Sequence, residues 1–173
     1  KKRALPRVAG HHEGMKVVRK ITKLANELGV KTLTVYAFST ENWERPEYEV
    51  VGLMELLVNT IRNEVESLHK NNIRLHVIGD LSMLPEYARK ELQEALDFTA
   101  ANTGLNLIMA LSYSGRWELL NAVKSIAHEV KEGRLNVEEI SQDTPGQNCI
   151  GQCLAFAGKG PQCQRRQHHP AHR

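Results

Sequence analysis

Residues 32–46, TLTVYAFSTENWERP, carry the strongest structural signal in the chain. The first seven residues are mostly β-branched, aromatic or apolar, a composition typical of a buried β-strand. Polar and charged groups follow at once. Pro46 then suits the first turn of a helix, where its missing N–H costs nothing. The stretch therefore predicts a strand, a polar loop and a helix start in direct succession.

The same alternation continues on both sides of this stretch. Apolar residues at helical spacing precede the strand and stop at Gly29, a natural residue to follow a helix. Downstream, the pattern predicts helices near residues 50–68, 85–101 and 117–131, and strands at residues 73–78 and 105–111. Because strands separated by helices favour parallel pairing through right-handed crossovers, we predict an α/β fold. Its parallel sheet, of at least three strands, is sandwiched by helices.

Composition excludes several classes of protein. The 173 residues carry a net charge of +3, too little to indicate nucleic-acid binding. No apolar run approaches the ~18 residues of a membrane helix, and no secretion signal follows the basic start. With three cysteines and no such signal, we expect a cytoplasmic protein.

The composition changes near residue 142. Residues 143–173 carry four Lys or Arg against Asp143 alone, contain all three cysteines, and have few core-forming residues. We therefore predict a domain over residues 1–142 and a disordered tail over residues 143–173, which resembles out-of-frame translation. A minor alternative is a zinc-binding or nucleic-acid-binding module in the tail. The candidate zinc ligands are Cys149, Cys153, Cys163 and His168, and their spacing lacks the tight cysteine pair that is typical of zinc sites.

The polar loop after the first strand is the leading site candidate, because ligands of open parallel sheets bind at the carboxyl ends of strands. Arg45 could pair with a phosphate or carboxylate, and the following helix start favours an anion. The alternative is an ordinary capped turn, in which Ser39 or Asn42 bonds the backbone and Trp43 packs on the sheet edge. Residues 79–80 and 112–117 follow the other two strands.

A second cluster lies at the start of the first helix, where Arg7 and His11 flank Gly10. An anion at this position would gain backbone N–H donors, a guanidinium and an imidazole. The alternative is that His11 and His12 are surface residues that cap the helix.

These motifs resemble the undecaprenyl diphosphate synthase (cis-prenyltransferase) family. The resemblance covers about residues 1–142, in order and at the family's spacings. It is carried by YAFSTENWERP at 36–46, Gly10-His11 after Arg7, VIGD at 77–80, NTGLNL at 102–107 and YSGRW at 113–117.

The resemblance implies an enzyme that condenses isopentenyl diphosphate repeatedly onto farnesyl diphosphate with cis geometry. It also implies Mg²⁺ as cofactor, a homodimer, and a product such as undecaprenyl diphosphate that serves as the lipid carrier of cell-wall synthesis. It gives no role to nucleic acid and at most a peripheral membrane contact for product release.

The resemblance also assigns roles to individual residues. Asn42 matches the position that assists proton removal, and Glu49 couples to the loop. The substrate-binding positions are Arg7, Gly10, His11, Ser39, Thr40, Glu41, Trp43 and Arg45. The positions that line a hydrophobic tunnel for the growing chain are Leu53, Met54 and Leu57.

Two family motifs have no counterpart in this sequence. One bears the aspartate that works with Mg²⁺, so we expect no metal ligand in this chain; the other is an arginine motif near the C-terminus. We therefore expect a domain that is incomplete at both ends, with little or no activity as written. The alternative function is a non-catalytic accessory or binding subunit of the same fold.

Overall fold

The computed structural model describes residues 7–149, except for the side chains of residues 7–12 and Gln147. The described part contains helices α1 (Arg7–Glu27), α2 (Glu47–Lys70), α3 (Glu86–Thr99), α4 (Gly115–Lys131) and α5 (Asp143–Asn148), and strands β1 (Thr32–Ser39), β2 (Arg74–Ile78) and β3 (Asn106–Tyr113). Short 3-10 helices occupy Thr40–Glu44, Leu81–Met83 and Val137–Glu139. The chain divides into two units, residues 1–113 and 114–173.

The first unit contains the sheet, whose strand order is β1-β3-β2 with both pairings parallel. Helix α2 follows β1 and leads to β2 at the far side of β3, and α3 leads from β2 back to β3. The predicted α/β fold with a parallel sheet and helices is thereby confirmed. The central strand β3 is buried from Leu107 to Tyr113, which explains why its sequence is a nearly continuous apolar run.

The core of this unit joins the strands to the inward faces of α2 and α3. Met54 and Ile61 of α2 and Leu92 of α3 pack with Leu107 and Leu111 of β3 in one apolar cluster. Each such side chain contributes roughly 1.5–3 kcal/mol when it is removed from water.

The structure confirms the predicted first helix as α1, and its apolar residues are largely exposed. Among the described side chains of α1, from residue 13 onwards, Thr22 and Ala25 are the buried ones. Val17, Ile21, Leu24 and Leu28 recur at helical spacing on a face that is exposed, and Leu28 keeps 72% of its surface accessible. The apolar spacing predicts a helix because it shows which residues share a face. It does not show which face of the helix points towards the core.

The motif at 102–104 ties α3 to the start of β2. The Asn102 side-chain amide donates to the carbonyl of Ile73 at 2.7 Å, and the Thr103 N–H donates to Oδ1 of Asn72 at 2.8 Å. Gly104 lies so close to Asn72 that a Cβ would approach its carbonyl oxygen to 2.4 Å. These contacts make the motif a structural clamp at the amino ends of the strands.

The second unit shows order beyond the predicted tail boundary. Helix α5 (Asp143–Asn148) packs against α4, and Ser125 bonds the side chain of Asn148 at 2.9 Å. Thr144 and Cys149 are buried. The tail expected from residue 143 is thus helical in its first six residues, because Ser141 and Thr144 bond each other and close the first turn. Residues 150–173, which include Cys153, Cys163 and His168 of the zinc alternative, lie outside the described residues.

None of the helices in residues 7–149 has the length and apolar character that a bilayer-spanning helix requires.

Candidate active site

An elongated cavity of about 590 Å³ lies between α1, α2 and the sheet. Its wall follows α2 from Leu53 to Asn71, about 27 Å at the rise of an α-helix. The strands contribute apolar side chains, among them Val35, Phe38 and Leu107. The volume falls in the range typical of small-molecule sites, and its shape suits a long apolar ligand.

The three predicted tunnel residues all line this cavity. Leu53 and Met54 share one turn of α2 and Leu57 lies on the next, and Met54 is almost completely buried. Helix α1 also contributes lining residues for which the sequence predicted no such role, including Met15, Val18 and Thr22. The position of these α1 residues on a cavity wall depends on helix packing and leaves no local signal.

Polar groups on the α1 and α2 walls accompany the apolar surface. Arg19 and Glu64 form an ion pair across the two helices, and both line the cavity. The hydroxyl of Thr22 is buried and has no hydrogen-bond partner among the described residues. The cavity is therefore apolar along the sheet and carries polar atoms where α1 meets α2.

The predicted loop after β1 forms the 3-10 helix Thr40–Glu44. Oδ1 of Asn42 accepts the backbone N–H of Ser39 at 3.2 Å, so Asn42 fixes the start of this turn. The capped-turn alternative therefore describes the local geometry correctly. A capped turn and a binding loop are compatible, because the cap uses the carbonyl side of the amide and a binding role would use other groups of the loop.

Arg45 and Glu49 lie together where this loop enters α2. A guanidinium nitrogen of Arg45 lies 3.6 Å from a carboxylate oxygen of Glu49, and both side chains are partly buried. The Glu49 carboxylate already lies at ion-pair distance from the Arg45 guanidinium. An anionic ligand at Arg45 would therefore share the guanidinium with Glu49 or displace the Glu49 carboxylate. The N-terminus of α2 adds a favourable partial charge for such an anion.

Trp43 links the loop to the sheet and to the cavity. Its ring meets that of Phe38 edge-on with centroids 4.9 Å apart, and Phe38 lines the cavity. Its indole N–H donates to the hydroxyl of Ser112 at 2.8 Å. In the sequence, Ser112 falls in the segment predicted to follow the third strand and has no predicted role, because a serine at the end of an apolar strand carries no distinctive pattern.

The loop after β2 is a turn closed by its own side chains. Asp80 accepts the N–H and the hydroxyl of Ser82 at 3.1 and 2.6 Å. In the second unit, Ser114 accepts the N–H of Trp117 at 3.3 Å and so caps α4. The structure thus brings together Ser39, Asn42, Trp43, Arg45 and Glu49, with Thr40 and Glu41 on the same turn.

Some predicted site residues cannot be placed in this geometry. Arg7, Gly10 and His11 belong to the first part of α1, but their side chains lie outside the described residues. For metals, residues 7–149 bring no three His, Cys, Asp or Glu side chains into a group that could hold an ion. The described side chains therefore do not fit a Mg²⁺ site.

Chemically, the described site suits an amphiphile. A guanidinium, a helix N-terminus and a polar turn follow Phe38, which lines the long cavity and packs against Trp43 of the turn. A ligand with an anionic head and a hydrocarbon tail could place the head at these polar groups and the tail in the cavity. Each buried CH₂ of the tail contributes about 0.8 kcal/mol, while the head keeps polar partners.

Comparisons with known proteins agree on one family. The family model described as "Putative undecaprenyl diphosphate synthase" matches residues 1–162. An isoprenyl transferase of Bacillus subtilis is 52% identical over 142 residues, which are 82% of this chain and 55% of the relative. A ditrans,polycis-undecaprenyl-diphosphate synthase of Vibrio parahaemolyticus, described as specific for (2E,6E)-farnesyl diphosphate, is 44% identical and matches 57% of its own length.

Solved structures give the same result. Lavandulyl diphosphate synthase from Lavandula x intermedia, crystallised with dimethylallyl diphosphate, superposes with a TM-score of 0.79 at 32% identity; 84% of this chain and 62% of that chain are covered. A probable undecaprenyl diphosphate synthase from Campylobacter jejuni gives a TM-score of 0.67 at 28% identity, covering 79% and 63%. The chain spans little more than half the length of the curated relatives it matches.

Proposed function

The chain belongs to the undecaprenyl diphosphate synthase family, and we propose that its protein is a transferase that condenses isopentenyl diphosphate onto farnesyl diphosphate with cis geometry. The repeated reaction gives a polyprenyl diphosphate such as undecaprenyl diphosphate. The single observation that best supports this proposal is the long cavity whose apolar wall includes Phe38, the residue directly before the polar loop. The wall follows α2 for about 27 Å, which suits a long hydrocarbon chain better than a compact polar ligand.

In the proposed reaction, the bond between carbon 1 of the allylic substrate and its diphosphate oxygen breaks. The diphosphate leaves with the electron pair, and the double bond of isopentenyl diphosphate attacks carbon 1 to form the new carbon–carbon bond. Loss of one proton from the resulting carbocation restores a double bond. The protein must therefore stabilise an anionic leaving group, align the alkene and direct the proton's departure.

The loop residues have groups suited to these tasks. Arg45 would hold a diphosphate oxygen, with Glu49 controlling where the guanidinium points. Ser39, Thr40, Glu41 and Trp43 would complete the walls around the heads of the two substrates, together with Arg7, Gly10 and His11. Because a carboxamide is a poor base, Asn42 would orient the group that accepts the proton rather than keep the proton itself.

The cavity provides the remaining requirement. Each condensation adds five carbons, so the product needs an apolar space that lengthens away from the loop. Leu53, Met54 and Leu57 lie in that order along α2 from the loop outwards. We propose that the growing chain passes these three residues in turn.

The remaining features of the proposal depend on the resemblance alone. They are a Mg²⁺-dependent reaction, a homodimer in the cytoplasm, a product used as a cell-wall lipid carrier, and only peripheral contact with the membrane. Light scattering on the purified protein tests the dimer directly.

The test of activity uses the 173-residue chain with farnesyl diphosphate and radiolabelled isopentenyl diphosphate. Because two family motifs have no counterpart in this sequence, we expect little or no labelled product from the chain as written; any product should lengthen stepwise, with cis double bonds by NMR. Arg45→Ala is expected to weaken the binding of farnesyl diphosphate about 10- to 100-fold, because a charge-assisted hydrogen bond contributes about 1.5–3 kcal/mol. Arg89→Ala, at an exposed position on α3, is the matched control.

The outcomes separate the alternatives. Equal affinity of wild type and Arg45→Ala for farnesyl diphosphate would contradict the role of Arg45. Sustained turnover would contradict the expected inactivity of this chain, whereas tight binding of farnesyl diphosphate without any turnover would agree with that inactivity and with the accessory-subunit alternative. Absence of both binding and turnover would contradict the proposed function as a whole.

A further inference from the structure

Ser112, at the carboxyl end of β3, has an unusual backbone. It is fully buried, and its φ is +50°, in the left-handed region that residues other than glycine rarely adopt. Such outliers persist only where the surrounding structure holds them, and they concentrate at functional sites.

The strand pairing explains where the unusual backbone comes from. The register between β1 and β3 passes from Phe38–Leu111 to Ser39–Tyr113, so Ser112 is an extra residue on β3. An extra residue of this kind is a β-bulge, which redirects a side chain that would otherwise follow the regular alternation. Here the redirected side chain is a hydroxyl.

Ser112 contacts the loops that follow both of the other strands. Its hydroxyl oxygen accepts the Trp43 indole N–H at 2.8 Å and can donate its own proton to the sulfur of Met83 at 3.7 Å. Its carbonyl accepts the backbone N–H of Asp80 at 3.2 Å. One buried residue therefore joins all three strand ends in the first unit.

The hydroxyl gives a reason for a serine at this position. Glycine would adopt a φ of +50° without strain, but glycine would leave the partly buried indole N–H of Trp43 without this acceptor. Trp43 in turn packs on Phe38, which lines the cavity. The contacts therefore run without a gap from Ser112 through Trp43 to the cavity wall.

We propose that Ser112 is a positioning residue, whose hydroxyl sets the orientation of the Trp43 indole and thereby the shape of the binding loop beside the cavity. The proposal rests on the proposed function, because it treats Trp43 and Phe38 as part of a prenyl diphosphate site. It adds a residue outside the loop itself to the determinants of substrate binding.

The key variant is Ser112→Gly, which removes the hydroxyl and suits the observed φ, so that the fold is retained. It is made in the Trp117→Phe background, where Trp43 is the one remaining tryptophan of the sequence. We expect the indole proton of Trp43 to exchange with solvent at least about ten-fold faster in Ser112→Gly than in the background protein, as measured by NMR. The matched control is Ser82→Ala, which removes a neighbouring hydroxyl that bonds Asp80 instead.

The second measurement is the affinity for farnesyl diphosphate. Ser112→Gly is expected to bind it about three- to ten-fold more weakly than the background protein, with Ser82→Ala unchanged. Unchanged exchange of the Trp43 indole proton would overturn the proposal, and so would faster exchange with unchanged affinity. If the background protein binds no farnesyl diphosphate while the indole exchange still responds to Ser112→Gly, the proposed function fails, and the substrate-binding role of Ser112 fails with it.

Discussion

At the scale of single residues, the strand ends are held by close backbone contacts. Gly79 has a φ of +114°, and a Cβ at this position would lie 1.9 Å from the carbonyl oxygen of Leu111. No side chain can occupy that space without moving β3. This close approach places the Asp80 N–H against the carbonyl of Ser112. The glycine is therefore a condition for the junction of strand ends described above.

We expect Gly79→Ala to destabilise the protein by more than about 3 kcal/mol, because backbone strain of about 1–3 kcal/mol adds to the clash with Leu111. Urea unfolding measures the change. The matched control is Gly52→Ala on α2, where a Cβ meets no atom within 4 Å; it should stabilise the protein by up to about 1 kcal/mol. Similar effects of the two substitutions would contradict the contact.

His76 of β2 gives the fold a dependence on pH. Burial lowers the pKa of His76 below its ordinary value, a hydrogen bond to Asn106 opposes this, and the charge of Arg74 adds to the lowering. The ring Nε2 donates to Oδ1 of Asn106 at 3.0 Å. Because the unfolded chain takes up the proton first, stability is lost as pH falls from the ordinary histidine pKa, about 6.5, towards the lowered value.

We therefore expect the free energy of unfolding to decrease less between pH 7.5 and pH 5 in His76→Gln than in wild type. Glutamine retains a donor for Asn106 but does not titrate. Urea unfolding at several pH values measures how the free energy of unfolding of each protein changes with pH. The difference in this free energy between the two proteins at pH 8 serves as the reference for effects unrelated to protonation. Parallel slopes would show that His76 does not contribute to acid sensitivity.

At the scale of elements, α1 forms a helix although most of its apolar side chains are not buried in the core. Ala25 packs in the core, whereas its neighbour Leu24 keeps 53% of its surface exposed. We expect Leu24→Gln to change the free energy of unfolding by no more than about 0.5 kcal/mol. Ala25→Gln is expected to cost about 1–3 kcal/mol, because a larger polar side chain must enter packed core. The reverse order in urea unfolding would mean that α1 is rotated about its axis.

The elements differ in how far sequence predicts them, and the reasons are physical. β3 is recognisable because a strand that is covered on both faces is apolar at every position. The start of α2 is recognisable because Pro46 and two acidic residues suit a helix N-terminus. The exposed stripe of α1 was not predictable, because the neighbours that cover or expose a helix face are distant in sequence.

The residues of the candidate site also differ in how far the sequence predicts them. The loop at 39–46 was found from its residue types alone, and its capping contact between Asn42 and Ser39 was among the alternatives considered. The role of Ser112 was not predictable, because it arises from a bulge in the pairing of two strands about seventy residues apart. Local composition predicts groups with chemistry, whereas tertiary pairing decides which buried residue supports them.

At the scale of the whole molecule, the cavity joins the fold to the proposed function. Its walls come from α1, α2 and all three strands, so it exists only when the first unit is folded. A ligand that fills it binds the folded state alone and must raise the free energy of unfolding. At one hundred times its dissociation constant, one bound ligand adds about 2.7 kcal/mol.

Filling the cavity with a side chain should remove this effect. We expect farnesyl diphosphate to raise the unfolding midpoint of the wild-type chain, and Leu57→Trp to abolish the shift, because the indole occupies the cavity beside α2. The matched control is Val51→Trp on the same helix, at an exposed position that does not line the cavity; it should keep the wild-type shift. Thermal unfolding with and without ligand gives both values. Equal shifts in the two tryptophan variants would mean that the hydrocarbon tail binds elsewhere, even if the loop at 39–46 holds the diphosphate.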